Sequence, residues 1–424
     1  MNTVSSFKSL GEWLPWLETL SPREIVLGLE RVEEVLGRLS IDRPPLVISV
    51  TGTNGKGSSV TMLEALLRKD GKRTGSYTSP HVCRYNERIR INNLPAGDAE
   101  IVAALEQVEK ARQGVPLTFF EFGTLAALVT FNAADTDAWI LEVGMGGRLD
   151  AVNAIEPDGS LITNVSLDHC AWLGNDAESI AREKAGIMRR SKPVIFGSQA
   201  VPAAILSIAN DLGADLRLAG RDFTFTSNPA NRTWNWRGSR VSLNDLQMPA
   251  LVGDAQLVNA AGVLALLEAL QLDHLLDSAF VSEALTSISL PGRFQIVRDR
   301  WILDVAHNPA AGQVLAAALR ARGLTGRLIA VVGMLADKDV DGFIAALSNL
   351  VDTWVSVTVE GSRAETAAEL GRKIANASGK PCLVVDDMHA AFRVADERAK
   401  EDDVVLVTGS FYVVGPALEW LQKD

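Results

Sequence analysis

The sequence predicts a two-domain α/β fold, a doubly wound, mostly parallel sheet followed by a smaller Rossmann-like α/β domain. Short β-branched runs alternate with amphipathic helical stretches across glycine-rich or polar turns, the pattern of parallel strands joined by crossover helices. At 424 residues the chain is too long for one ordinary domain and comfortable for two. Pro and Gly stand together in LPGRFQ (290–295), and a second cycle of strands begins beyond it. The expected domains are 1–290 and 298–424, with 291–297 as a linker.

LVISV (46–50) is the first buried-strand candidate. SSVTMLEALLRKDG follows, with Val60, Leu63 and Leu67 on one helical face and Gly71 as the stop signal. Further strands are expected near 73–77 and at 138–143, 161–165 and 193–196. From about 215 to 250, turn residues and alternation without a long helix predict an antiparallel insertion near the edge of the first domain; a helix is expected at 255–271. The second cycle reads WILDVA (301–306), RLIAVVG (327–333), TWVSVTV (353–359), CLVVDD (382–387) and DVVLVTG (403–409).

Composition narrows the function classes. With 47% hydrophobic and 22% charged residues, the chain is globular. Its three cysteines (Cys83, Cys170, Cys382) form no CxxC pair, which argues against a disulfide framework or thiolate zinc site and fits a reducing cytoplasm. The N-terminal stretch lacks a basic region followed by an unbroken apolar one, and no apolar run approaches the roughly 20 residues of a membrane span. A net charge of −11 disfavours nucleic acid or an anionic membrane as partner. Anionic substrates would then need local Lys, Arg or metal.

Strand LVISV runs directly into TGTNGKGSS (51–59) and then a helix. Glycines let backbone N–H groups turn toward a phosphate, and the helix N-terminus adds a favourable dipole. Lys56 would reach the β- and γ-oxygens, with Ser58 or Ser59 facing a metal shell. The spacing departs from G-x-x-x-x-G-K-[ST]: two residues separate Gly52 from Gly55, and Gly57 intervenes between Lys56 and Ser58. A glycine-rich turn with a surface lysine is the plain alternative. Placement between strand and helix favours a P-loop domain.

Ligands of open parallel sheets bind outside the carboxyl ends of the strands. TSPHVCRYNERIRI (78–91), LEVGMGGRLDA (141–151) and NVSLDH (164–169) all fall there, the last two placing Glu142 and the pair Asp168–His169 just beyond apolar runs. Each alone has an ordinary explanation: tight-turn glycines, a capping glutamate, a hydrogen-bonded loop histidine.

GTNGKGS resembles the phosphate loop of the Mur-type amide ligases, folylpolyglutamate and dihydrofolate synthases among them. TSPHVCRYNERIRI, LEVGMGGRLDA, SLDH, REKAGI, LPGRFQ and DVAHNP appear in the order seen in folylpolyglutamate synthases, and the resemblance runs from LGLERV (27–32) to VTGSF (407–411). It implies ATP contacts at Gly52, Thr53, Asn54, Gly55, Lys56, Gly57 and Ser58, joined by Asn259, Arg293 and Asp304. It implies magnesium, two ions, with Ser79, Glu142 and His169 as ligands, although histidine is an atypical magnesium ligand. It further implies a carbamylated Lys184, which by spacing alone reads as a solvent-facing helix lysine. The pterin-bearing substrate is expected at Val26, Leu27, Gly28 and Leu29, at Thr118, Phe119, Phe120 and Glu121, and at Leu149, Asp150 and Ala151. Phe119, Phe120 and Phe122 offer flat apolar surface for a heteroaromatic ring, core packing being the alternative. His307 and Ser410 resemble residues that receive glutamate, and the expected catalytic groups are Lys56, Lys184 and His307. As isolated residues, Asn259 and Ser410 would be a helix-surface amide and a turn hydroxyl.

The implied activity is ATP-dependent amide formation: L-glutamate joined to dihydropteroate and to reduced folates through an acyl phosphate, by a cytoplasmic monomer. A monofunctional folylpolyglutamate synthase is an alternative within the class. A Mur ligase acting on a peptidoglycan precursor usually carries a further N-terminal domain, for which a phosphate loop at residue 51 leaves no room. A nucleotide-switch NTPase would carry NKxD, which is missing. A silent pterin-binding module would have no use for Lys56, Glu142 and Arg293 together.

Overall fold

The computed structural model describes residues 7–21, 26–361 and 363–423. They fall into two compact units. The first comprises the chain up to Val165, Leu173–Pro249 and Val258–Ile288; the second comprises Ser166–Trp172, Ala250–Leu257 and the chain from Ser289 onward.

The first unit is built on eight strands: β1 (Leu46–Thr51), β2 (Thr74–Tyr77), β3 (Ile89–Ile91), β4 (Leu94–Pro95), β5 (Ala138–Glu142), β6 (Gly159–Ile162), β7 (Pro193–Phe196) and β8 (Asp215–Leu218). Their order is β4-β3-β2-β5-β1-β6-β7-β8. β1 lies between β5 and β6, parallel to both, with Val50 opposite Glu142. Only β3 runs against the others, pairing antiparallel with both β2 and β4. Val47, Ile48 and Val50 are wholly buried because helices cover both faces, so β1 reads as a continuous apolar run. Helix Lys56–Lys69 buries Val60, Met62, Leu63, Leu66 and Leu67. Helix Phe119–Ala133 is buried without a break over residues 121–131. A helix apolar all round belongs inside, and this one packs against helices Leu10–Thr19, Glu30–Leu36 and Asp98–Arg112.

The antiparallel insertion is a three-stranded sheet of β9 (Thr224–Asn228), β10 (Thr233–Arg237) and β11 (Ser242–Gln247), order β11-β10-β9. Its inward face holds Trp234 and Trp236, and Trp236 Nε1 donates to Ala261 O at 3.1 Å, on helix Asp254–Ala269. Residues 215–218, expected within this insertion, instead complete the large sheet: β8 pairs parallel with β7. The intervening helix Ala203–Leu212 supplies the crossover that parallel pairing requires.

The second unit has β12 (Gln295–Val297), β13 (Trp301–Asp304), β14 (Leu328–Val332), β15 (Thr353–Ser356), β16 (Cys382–Val384) and β17 (Val404–Thr408), order β12-β13-β17-β14-β15-β16. All but β12 are parallel. Ile302, Ala330, Val332, Phe343, Ile344, Trp354, Ile374 and Leu406 form its core. The stretch expected to be a linker, 291–297, belongs to this unit, and its last three residues form the edge strand β12. Two short segments, 166–172 and 250–257, also group here although the flanking chain belongs to the first unit. At the amino ends of β14 and β17, Arg327 donates from Nε (3.1 Å) and Nη2 (2.7 Å) to Asp403, which also accepts from Arg327 N at 2.8 Å.

Candidate active site

β1 delivers its last residue, Thr51, into the glycine loop. Gly52 has φ +151°, and a Cβ there would fall 1.8 Å from Thr163 Oγ1. Gly55 has φ +88° and stands at the N-cap of helix Lys56–Lys69, with no side chain capping the helix. Both positions therefore require glycine. The loop is pinned to the end of β6: Thr53 N donates to Asn164 O (3.1 Å), Asn54 N to Asn164 Oδ1 (3.1 Å), and Thr163 Oγ1 to Asn54 O (2.6 Å). Lys56 Nζ donates to Gly52 O at 3.0 Å, which holds the ammonium over the loop. Of the two serines, Ser59 donates to its own helix at Gly55 O (3.0 Å), whereas the buried Ser58 Oγ has no hydrogen-bond partner. Ser58 is thus the one whose hydroxyl the helix does not itself engage.

Glu142 ends β5 beside this loop. Its carboxylate accepts from Ser79 N at 3.1 Å, and a Cβ on Gly57 would lie 3.6 Å from Glu142 Oε2. Glu142 and Ser58 are both buried. A buried carboxylate and an orphaned hydroxyl at one helix start fit a hard divalent cation, which takes oxygen ligands. His169, the third expected ligand, lies in the second unit at φ +52°. Among the described residues, no group of three or more His, Cys, Asp and Glu side chains is gathered for a metal.

Asn259 is buried rather than on the helix surface: a Cβ on Gly55 would meet its Oδ1 at 2.5 Å, so its amide abuts the glycine loop. Lys184 is likewise not solvent-facing; it is 3% exposed on helix Ala177–Ala185. That helix is held to the turn after β5 by Arg148 N donating to Glu183 O (2.8 Å) and by the Arg148–Glu183 ion pair (2.9 Å). GMGGRLDA and REKAGI are thus one packed structure.

The three segments expected around the pterin also converge. Gly28 N donates to Leu149 O at 3.4 Å, and Arg31 bridges Val26 O (2.8 Å) to Glu121 Oε1 (2.6 Å). Glu121 closes a capping box with Thr118 at the start of helix Phe119–Ala133. Phe122 is core, whereas Phe119 and Phe120 are half-buried, against Tyr85 and Tyr77 respectively at 5.8 Å. Burial pushes the Asp150 carboxyl up to about 6, although Met145 N (2.9 Å) and Val152 N (3.0 Å) donate to it. Arg31, Tyr77 and Tyr85 were not singled out by sequence. Tyr85 lies inside TSPHVCRYNERIRI, but nothing local marks its role.

In the second unit Asp304 ends β13 and accepts from Phe294 N (2.9 Å) and Ala306 N (2.8 Å). Burial raises its carboxyl above the usual range, and the charge of Arg293 opposes that. Arg293 lies over the Phe411 ring, 5.2 Å from its centroid. His307 Nδ1 is 2.8 Å from Val305 O, and Nε2 is 3.5 Å from Asp168 Oδ2. Ser410 Oγ is buried and lacks a hydrogen-bond partner. Lys338, unmarked by any sequence motif, pairs with Asp168 at 2.6 Å. Burial would raise the Asp168 carboxyl, but the hydrogen bond from His307 and the charge of Lys338 outweigh it and hold it far below the ordinary carboxylate range.

Among the described residues, no helix is long and apolar enough to cross a membrane. Residues 50–266 match the Mur ligase middle domain, and residues 292–411 match the Mur ligase glutamate ligase domain. The dihydrofolate synthase/folylpolyglutamate synthase of Escherichia coli K12 is 40% identical over 98% of this chain and 96% of its own. Its namesake in Haemophilus influenzae is 37% identical over 96% of each. The solved structure of E. coli FolC with DHPP and ADP superposes with TM-score 0.92 at 40% identity, covering 98% of both chains. A bifunctional folylpolyglutamate synthase/dihydrofolate synthase with Mn, AMPPNP and L-glutamate bound gives TM-score 0.89 at 41% identity, again over 98% of both. The chain therefore belongs to the Mur ligase family, in its dihydrofolate synthase/folylpolyglutamate synthase branch.

Proposed function

We propose that this chain is an ATP-dependent ligase that adds L-glutamate to dihydropteroate, giving dihydrofolate, and to reduced folates, extending their glutamate tail. One observation carries this: a helix start without a side-chain cap, which bears Lys56 and the orphaned Ser58 Oγ and whose Gly57 faces the Glu142 carboxylate.

A free carboxylate resists attack by an amine because oxide cannot leave. Moving the γ-phosphoryl of ATP onto it gives an acyl phosphate whose leaving group is inorganic phosphate; attack by the glutamate amine then yields amide, ADP and phosphate. Gly52, Gly55 and Gly57 offer backbone N–H groups to the phosphates, Thr53 and Asn54 shape the loop around them through their bonds to Asn164, and Lys56 neutralises charge during transfer. Arg293 is assigned the same task, and Asp304 the ribose hydroxyls. Asn259 supports the loop from its other side. Ser79, Glu142, His169 and Ser58 are proposed to hold two magnesium ions. Magnesium, when bound, supplies the positive charge that phosphoryl oxygens need in transfer.

The burial of Lys184 supports carbamylation, which would replace a buried ammonium with a carboxylate beside the 145–148 turn. Phe119 and Phe120 offer ring faces to the pterin, framed by residues 26–29 and 149–151. His307 and the unpartnered Ser410 hydroxyl are assigned to glutamate. On this assignment residues 1–290 carry the nucleotide and pterin, and 298–424 the amino acid. A cytoplasmic, monomeric enzyme is the simplest form consistent with these small substrates.

ADP release tests the proposal, measured with dihydropteroate or tetrahydrofolate, each with and without L-glutamate. Release is expected only when pterin and glutamate are both present. ADP release indifferent to both would remove the ligase assignment, while glutamate-dependent release with tetrahydrofolate and none with dihydropteroate would reduce it to a monofunctional folylpolyglutamate synthase.

A further inference from the structure

We propose that Asp168 is a positioning residue, a buried carboxylate that fixes the His307 imidazole for the incoming amino acid. This rests on the ligase assignment and adds to it a residue outside the expected binding set.

Four donors converge on this one side chain. Lys338 Nζ lies 2.6 Å from Oδ1 and His169 N 2.8 Å from the same oxygen. Asn308 Nδ2 lies 3.0 Å from Oδ2, and His307 Nε2 3.5 Å from it. The side chains of Asp168 and Lys338 are each 7% exposed. A buried ion pair is tolerated only when its geometry is good and its remaining lone pairs are satisfied; both conditions hold here. Neutralising Lys338 needs one of these contacts; the other three need another explanation.

The imidazole of His307 supplies one. A carbonyl oxygen only accepts, so Nδ1–H donates to Val305 O, and Nε2 donates to Asp168 when the ring carries both protons, an imidazolium set against the carboxylate. Phe411 flanks the ring, 6.3 Å between centroids. The ring is thereby held at both nitrogens and along one side. Asp168 reaches it from 139 residues earlier in the chain (307 − 168), and its neighbour His169 adopts a left-handed backbone that non-glycine residues avoid. Local folding gives no reason for either. A carboxylate locked by Lys338 and Asn308, presented toward Nε2, accounts for both.

The decisive variant is Asp168→Asn in the full chain, read in two ways. Michaelis constants are measured for L-glutamate, ATP and dihydropteroate. Long-range 15N–1H spectra of the five imidazoles are recorded on substrate-free protein, with His307→Ala identifying its signals. The glutamate KM should rise roughly tenfold to a hundredfold, the other two should stay within about twofold, and the His307 ring signals should move. Because Lys338 would be left unpaired, Asp168→Asn/Lys338→Met is examined as well; its balanced charge protects folding, and the His307 signals should remain displaced. Unmoved His307 signals in both variants, or a KM rise shared by all three substrates, would overturn the clasp while leaving the ligase assignment standing. Wild-type ADP release that needs no glutamate would remove both.

Discussion

Two strand-to-helix turns, one in each unit, solve the same local problem in opposite ways. After β1 the helix Lys56–Lys69 starts from Gly55 with no side chain over its first N–H groups. After β13 the helix Pro309–Arg322 starts from Asn308, whose side chain accepts from Ala311 N at 2.9 Å, with proline in the first turn. The first end leaves its donors and its dipole for an anion; the second satisfies itself from its own sequence. A helix end without a cap costs stability, and on the proposed function that cost keeps a place for phosphate.

The sharpest break in this contrast is Lys56→Ala, which should lower ADP release by roughly 10³-fold with the melting temperature and circular dichroism unchanged. Wild-type turnover in that variant would mean that the loop does not hold ATP. Next comes Gly55→Ala. A Cβ at φ +88° meets Asn259 Oδ1 at 2.5 Å, so turnover should fall on the order of 10²-fold, with a stability loss of about 1–2 kcal/mol. Asn308→Ala, the matching change in the other turn, should cost ~1 kcal/mol for the cap and more for the lost hydrogen bond to Asp168, read by denaturant titration, and leave the ATP KM where it was.

The two loop serines should separate as well. Ser58→Ala should weaken magnesium-dependent turnover by roughly 10–100-fold, yet leave the metal-free protein as stable as wild type or more so, because it removes an orphaned buried hydroxyl. Ser59→Ala should do neither. Equal magnesium titrations for the two variants would break this distinction.

The smallest effect is expected at the far ends of the second unit's strands. The Arg327 hydrogen bonds hold the Asp403 carboxyl down at about 2, below its ordinary value of 3.8. The native state therefore binds fewer protons than the unfolded chain between those values. The contribution is fully present above about pH 4 and is lost as pH falls toward about 2. Asp403→Asn should flatten the melting temperature over that interval, a few degrees at most, and leave glutamate kinetics untouched.

How much of this was legible follows from chain distance. The phosphate loop, the Glu142 strand end and the Asn308 cap are spelled in consecutive residues, so pattern and spacing reach them. Lys184 and Asn259 were singled out by resemblance alone; taken as isolated residues they read as surface groups, because a single polar residue on a helix says nothing of what packs over it. Arg31 meets Glu121 across 90 residues and Lys338 meets Asp168 across 170, and no local signal announces either pair. β8 was taken for part of the insertion because four short, mixed residues carry no information about which sheet they join.

The division of the chain bears on how such a protein can be taken apart. Covalent connectivity passes between the units at 165/166, 172/173, 249/250, 257/258 and 288/289. A cut at 288/289 would therefore not release a finished module: the carboxyl-terminal fragment would keep Lys338 and forfeit the aspartate that neutralises it. Such a fragment should express poorly until Lys338 is made apolar or a peptide covering 166–172 is supplied. Exchange of amino-acid specificity between relatives by swapping carboxyl-terminal cassettes should, for the same reason, succeed only when the small upstream loop travels with them.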